Sequence, residues 1–195
     1  MKKFIVLLVG VILAGCSLEG RFSKSDLEII RTNPEEILKI YTIETEEETT
    51  VLRNISTDLS EKVLFGKDYS LLAERMIRTV SDTAVGGVGL AAPQIGINRR
   101  IVVVQRFDKE GEPFEAYPNI SIISHSEETK KGAEGCLSVP GERYDVNRFT
   151  SVEICYFDID KGEMVTETIE GFTAVIFQHE VDHLDGIIYT DRVLM

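Results

Sequence analysis

Two histidines four residues apart, His179 and His183, stand in Gln178-His179-Glu180-Val181-Asp182-His183. On a helix, positions i and i+4 share a face, so both rings can grip one metal ion. Glu180 follows the first ring on a neighbouring face. It is poorly placed to join the same ligand set, but it can reach a water held by the metal. Two of the three histidines in the chain fall in this pentapeptide. They extend an apolar stripe through Phe172 and Ile176, where a histidine pair without a partner would be costly. Metal binding therefore stands ahead of two incidental surface histidines.

A third ligand is needed for a site with one open position. Asp185 and Asp191 are the only acids downstream, and Asp185 follows too closely. Upstream, Glu134-Gly135-Cys136-Leu137-Ser138 offers a glycine-flanked thiol that could complete a Cys/His/His set. The competing reading of Cys136 is a small buried hydrophobe. A glycine-rich stretch, Gly86 to Gly96, lacks the Lys-Ser/Thr of a phosphate loop, and no strand precedes it. Its glycines let a ligand approach the backbone closely, and Gln94 offers an amide to a developing oxyanion.

The elements that must position these groups read as follows. Tyr69 to Val80 recurs at helical spacing and predicts a helix over about 70–84, capped by Asp68 or Ser70 and ended at Gly86-Gly87. Ile37 to Ile43 reads as a short strand or extended segment, and Glu44 to Thr50 as an acidic loop. Strands are expected at Ile101–Gln105, Phe114–Tyr117, Ile120–Ile123, Val152–Tyr156 and Met164–Ile169. The last helix runs from Phe172 to Leu184, with Gly186 past its end. No internal repeat and no second domain are evident. Helix, antiparallel strands, helix is an α+β order.

The chain has 195 residues, 43% of them apolar, with a formal charge of −12. One domain with a real core is expected, and wholesale disorder is excluded. The acidic balance disfavours nucleic acid as a partner. Three cysteines are too few for a disulfide framework. At the start, Lys2 and Lys3 precede an apolar run from Phe4 to Ala14, the layout of a secretory signal. It ends in Leu13-Ala14-Gly15-Cys16, which resembles the bacterial lipoprotein lipobox. Residues 1–15 are then a signal peptide. Residues 16–36 are a polar tether in which Leu27, Ile29 and Ile30 could form a short helix, and residues 37–195 are the catalytic domain. The mature protein would sit in the cell envelope as a membrane-anchored lipoprotein, held through lipid on Cys16.

Three segments, Gly87-Val-Gly-Leu-Ala-Ala-Pro-Gln94, Glu134–Ser138 and Gln178–His183, resemble the signature motifs of peptide deformylases in order and spacing. The resemblance spans roughly Ile37 to the C-terminus. It implies a fold of antiparallel sheets around the C-terminal helix, and removal of the formyl group from N-formylmethionyl peptides by a monomer. Cys136, His179 and His183 would ligate the metal, Fe2+ first, with Zn2+, Ni2+ or Co2+ as substitutes. Glu180 would be general base and then acid, and Gln94 and the Leu137 N–H would stabilise the oxyanion. Gly89 would pair with the substrate backbone. Val88, Phe172, Val175 and His179 would line the methionine pocket, and Arg143 would lie near the substrate. The sequence departs from the family in its signal and tether, in Glu44–Thr50 where a short Pro-containing turn is usual, and in lacking a long C-terminal helix. A non-catalytic metal- or peptide-binding lipoprotein is the alternative, disfavoured because storage needs neither Glu180 nor Gln94. A metallopeptidase is disfavoured by the thiol ligand.

Overall fold

The computed structural model describes residues 20–193; the signal, the lipobox and Cys16 lie outside the described residues. The chain opens with helix α1 (Lys24–Arg31), α2 (Glu46–Leu52), α3 (Glu61–Leu64) and α4 (Lys67–Ser81). Eight strands follow: β1 (Gly89–Ala91), β2 (Ile101–Gln105), β3 (Phe114–Pro118), β4 (Ser121–His125), β5 (Thr129–Cys136), β6 (Val139–Phe149), β7 (Ser151–Asp158) and β8 (Glu163–Glu170). Helix α5 (Gly171–Leu184) then closes the core. The strands form three antiparallel sheets, ordered β1-β2-β3, β4-β7-β8 and β5-β6. The α+β expectation holds.

Strand β2 shows why the sheet lies where it does. Its β-branched run is buried on both faces, and side chains alternate along a strand. Ile101 and Val103 enter a core shared with α4, through Leu72, Met76 and Val80. Val102 and Val104 enter a second core shared with α5, through Phe177, Val181 and Leu184. Helix α5 is buried on nearly every side, its polar groups included, as a central helix must be. The β2–β3, β7 and β8 expectations hold, and Cys155 sits on β7 between Ser121 and Thr166.

Three local readings are corrected. Residues 20–36 are not a tether. Ser23 and Asp26 form a reciprocal cap at the start of α1, and Phe22 and Ile30 are buried. Arg31 pairs with Asp68 on α4 at 2.8 Å, and buried Arg75 donates to the carbonyls of Ile29, Ile30 and Thr32. Among the described residues, packing reaches back to Gly20, which bridges to Leu59. The acidic loop is also helical. Thr45 accepts from the Glu48 N–H, three glutamates sit in the first turn where the helix N-terminus favours them, and Leu52 is fully buried. Finally, α4 begins at Lys67 after Gly66, with no side-chain cap, and ends at Ser81 before the glycine pair.

Residues 37–43 are extended but outside any sheet. Leu38 N–H donates to Thr79 Oγ1, Tyr41 N–H to the Gln94 carbonyl and Ile43 N–H to the Ser138 carbonyl. This segment ties two of the three motif segments to the body. The β5–β6 hairpin, with its register shift between Gly135 and Cys136, was not legible in the sequence.

Candidate metal centre and catalytic cleft

Helix α5 carries His179 and His183 one turn apart, with ring centroids 5.1 Å from each other. The shift at the end of β5 turns Cys136 toward them. Cys136 Sγ lies 3.2 Å from His183 Nε2, and the ligand atoms of Cys136, His179 and His183 all fall within 4.8 Å of one another. Strands and helix thus bring together the three groups that the sequence singled out as ligands. One thiol and two imidazoles are a donor set suited to a borderline-soft divalent ion.

Electrostatics favour the same reading. Burial holds His183 well below its ordinary range, so its ring is neutral, as a metal ligand must be. Burial also opposes charge on His179, but hydrogen bonds to Cys136 and Glu134 outweigh it and hold the ring at about 10. A dication among the three groups would take the place of that shared proton. Glu134 Oε2 lies 2.8 Å from His179 Nδ1, which leaves Nε2 for the centre. Burial would raise Glu134, but His179 and Arg148 overcome it and hold the carboxyl at about 2. Arg148 in turn donates to Glu134 at 2.7 Å and to Asp182 at 2.5 Å, and Arg192 closes the chain on Asp182.

Sequence reasoning missed Glu134, Arg148 and Asp182 as supports of the site. Two of them lie inside the motif segments, but charged residues flanking a ligand look like ordinary surface until the hairpin is folded. Here all three are under a tenth exposed.

Glu180 is 4% exposed, and its Oε2 has no hydrogen-bond partner among the described residues. Burial pushes this carboxyl up to about 7, where a group can both take and return a proton. Its place is made by Gly89: a Cβ built there would lie 2.8 Å from Glu180 Cγ and Cδ. Gln94 is 1% exposed on a short 3-10 turn (Ala92–Ile95). Its Oε1 accepts from the Ala91 N–H at 2.8 Å, which aims Nε2 at Ser138 Oγ, 3.2 Å away, and at Cys136 Sγ, 3.6 Å away.

One cleft of about 740 Å3 joins these groups. Gly89, Gln94, Cys136, His179 and Glu180 line it, and so do Leu137 and Arg143. Val88, Phe172 and Val175 supply its apolar wall, with the Phe172 ring tilted against Phe107 at 5.3 Å between centroids. Every residue named from the sequence as catalytic or substrate-binding borders this cleft. His183 lies behind it, fully buried.

Comparison with known proteins agrees with this geometry. The family model for polypeptide deformylase matches residues 32–194. The chain is 47% identical over 109 residues to a peptide deformylase of Symbiobacterium thermophilum, covering 56% of this chain and 49% of that protein. It is 44% identical over 136 residues to a peptide deformylase of Desulforudis audaxviator, covering 69% and 86%. The Met-Ala-Ser-bound crystal structure of a class I type b peptide deformylase from Acinetobacter baumannii superposes with a TM-score of 0.71 at 34% identity, over 81% of this chain and 99% of that one.

Proposed function

The chain belongs to the polypeptide deformylase family, and from that premise we propose how its own residues carry out the reaction. The activity is hydrolysis of the formyl amide of N-formylmethionyl peptides, giving formate and a free amino terminus. The observation that carries this reading is the unpartnered buried carboxylate of Glu180 beside a Cys/His/His ligand set in one cleft.

The family is metal-dependent, and Cys136, His179 and His183 would hold the ion. We assign Fe2+ first, with Zn2+, Ni2+ and Co2+ as substitutes. When bound, such an ion supplies Lewis acidity toward the formyl oxygen and lowers the pKa of water from ~15.7 toward ~7. Glu180 does the proton work. Its carboxylate takes the proton from the attacking water and then delivers it to the leaving amine nitrogen. The Gln94 amide and the Leu137 N–H donate to the oxygen on which negative charge develops; losing one such donor typically costs about 100- to 1000-fold in rate. Glu134 keeps the His179 ring oriented. The free edge of β1 around Gly89 accepts the substrate backbone as an added strand. Val88, Phe172 and Val175 receive the methionine side chain, and Arg143 lies beside the peptide. Glu180 and Gln94 weigh against a merely metal-storing or peptide-binding protein. The test is formate release from formyl-Met-Ala-Ser by iron-loaded protein purified without oxygen: turnover is expected, and its absence with metal bound would sink the reading.

Cellular placement is a separate proposal. The segment Leu13–Cys16 supports a lipid-anchored envelope protein. Only residues 17–19 separate Cys16 from the packed body at Gly20. Four peptide steps span at most about 14 Å, so the lipid would hold the enzyme against the membrane surface. Ribosome-bound chains would then be out of reach, and released formyl peptides become the substrates. Labelled lipid on the wild type but not on Cys16→Ala supports this; an unlabelled protein in the soluble fraction refutes it.

A further inference from the structure

The cleft extends well beyond Glu180. It follows β5 from Cys136 back to Lys130, and β5 is paired with β6 on one side only. Its charge changes along the way. Near Cys136 the carboxylates are Glu180, Glu134 and Glu142, and Glu134 is committed to Arg148 and His179. At the far end stand Lys130 and Lys131, while Arg143 of β6 lies at the Cys136 end, opposite Gly135.

Alternation along the strand sorts these cations. Glu134, Gly132 and Lys130 share one face, and contact between Glu134 and His179 turns that face toward α5. Gly132 leaves it open, since a Cβ there would meet nothing within 4 Å. On the other face Lys131 is paired with Asp145 at 3.2 Å. Arg143 lies opposite Gly135, with its Cγ 3.5 Å and its Nε 4.0 Å from where a Cβ on that glycine would be. The hairpin's ion pairs are Lys131–Asp145 and Arg148–Glu134; Lys130 and Arg143 take part in none among the described residues. Lys130 is thus a cation free of ion pairs at the far end of the substrate cleft, in a chain carrying −12.

We propose that Lys130 makes the cleft prefer short formylmethionyl peptides whose free C-terminal carboxylate lies within a few residues of the formyl group. This rests on the deformylase reading and names the substrate class within it. Six residue steps along the strand lead from Lys130 to Cys136, a span of about 20 Å. A four-carbon lysine stem extended toward Cys136 covers roughly two residues of that distance. Its ammonium therefore meets a charge about four residues from the formyl group. A tetrapeptide acid carries a carboxylate there, and a longer chain carries an uncharged peptide bond.

The experiment compares kcat/KM for formyl-Met-Ala-Ser-Ala as free acid and as C-terminal amide, by formate release from the metal-loaded enzyme. A third substrate, formyl-Met-Ala-Ser-Glu amide with its α-carboxyl blocked, separates a chain end from an acidic side chain. At low salt the free acid is expected to be favoured over the amide by about three- to tenfold, through KM. That ratio should fall toward one at about 0.5 M salt and in Lys130→Gln. The ratio is internal to each variant, so a general loss of activity does not mimic the effect. A ratio near one in the wild type, with both peptides still deformylated, overturns the proposal. Equal preference for the glutamate amide overturns the assignment to a chain end. Turnover of neither peptide overturns the deformylase reading beneath it.

Discussion

Gly89 on β1 and Glu180 on α5 occupy each other's space. A methyl group at Gly89 would lie 2.8 Å from Glu180 Cγ and Cδ, and closer still to Oε1. A glycine is therefore required on the strand so that the carboxylate of the helix can reach the cleft. Gly89→Ala should move the carboxylate rather than unfold the chain, because the nearest atoms are the far end of the Glu180 side chain. Overpacking of this kind typically costs about 1–3 kcal/mol. The expected outcome is deformylation reduced at least about tenfold, since small misplacements of a reacting group are costly, with metal content unchanged. Near-wild-type turnover in Gly89→Ala would show that Glu180 does not depend on this space.

Metal affinity should grade with distance from the centre. Cys136→Ala leaves two protein ligands and should lose the ion, while the fold is kept, since a core of this size does not depend on the ion. Glu134→Gln keeps all three ligands but weakens the hydrogen bond that orients His179 and leaves Arg148 with less countercharge. A loss of about 10- to 100-fold in affinity is expected, typical of groups that orient a ligand. Competition against a chelator, with far-UV circular dichroism as the folding control, measures both. Full occupancy in Cys136→Ala would contradict the ligand set.

Acid sensitivity should be traceable to a buried arginine away from the cleft. Arg106 is 1% exposed and donates twice to Asp108, at 2.8 and 2.6 Å, and also to Glu167 and Tyr117. The hydrogen bond from Arg106 holds Asp108 at about 2, below its ordinary 3.8. A depressed carboxyl contributes stability that is present above its unfolded value and lost as pH falls through its folded one. Asp108→Asn should therefore lower Tm at pH 7 and approach the wild-type Tm between pH 4 and about 2. A gap that stays constant over that window would contradict the pairing.

Much of this site was legible because its chemistry is local. His179, Glu180 and His183 are fixed by helical spacing alone, and β2, β7 and β8 announce themselves by β-branched or alternating residues. What escaped was held by long-range pairing. Strand β5, Thr-Lys-Lys-Gly-Ala-Glu-Gly-Cys, has no apolar alternation, and it is a strand because β6 supplies its hydrogen bonds. The short helix through Leu27, Ile29 and Ile30 was legible, but its segment read as a tether because its polar residues outnumber its apolar ones. Its place is set by Arg75 and Asp68 on α4, some forty residues away. Arg148 could not be read as a support of the metal ligands, since its partners Glu134 and Asp182 are brought to it only by the folded hairpin and helix.

The most direct test of the account is formate release by Glu180→Gln. Glutamine keeps the size of the side chain and leaves the three ligands in place, but it cannot accept a proton. Loss of a general base typically costs about 100- to 10,000-fold. With formyl-Met-Ala-Ser as substrate, the variant should bind metal as the wild type does and release formate at least about 100-fold more slowly. Turnover near the wild-type rate, with metal bound, would contradict the assignment of Glu180 as the proton carrier and the mechanism built on it.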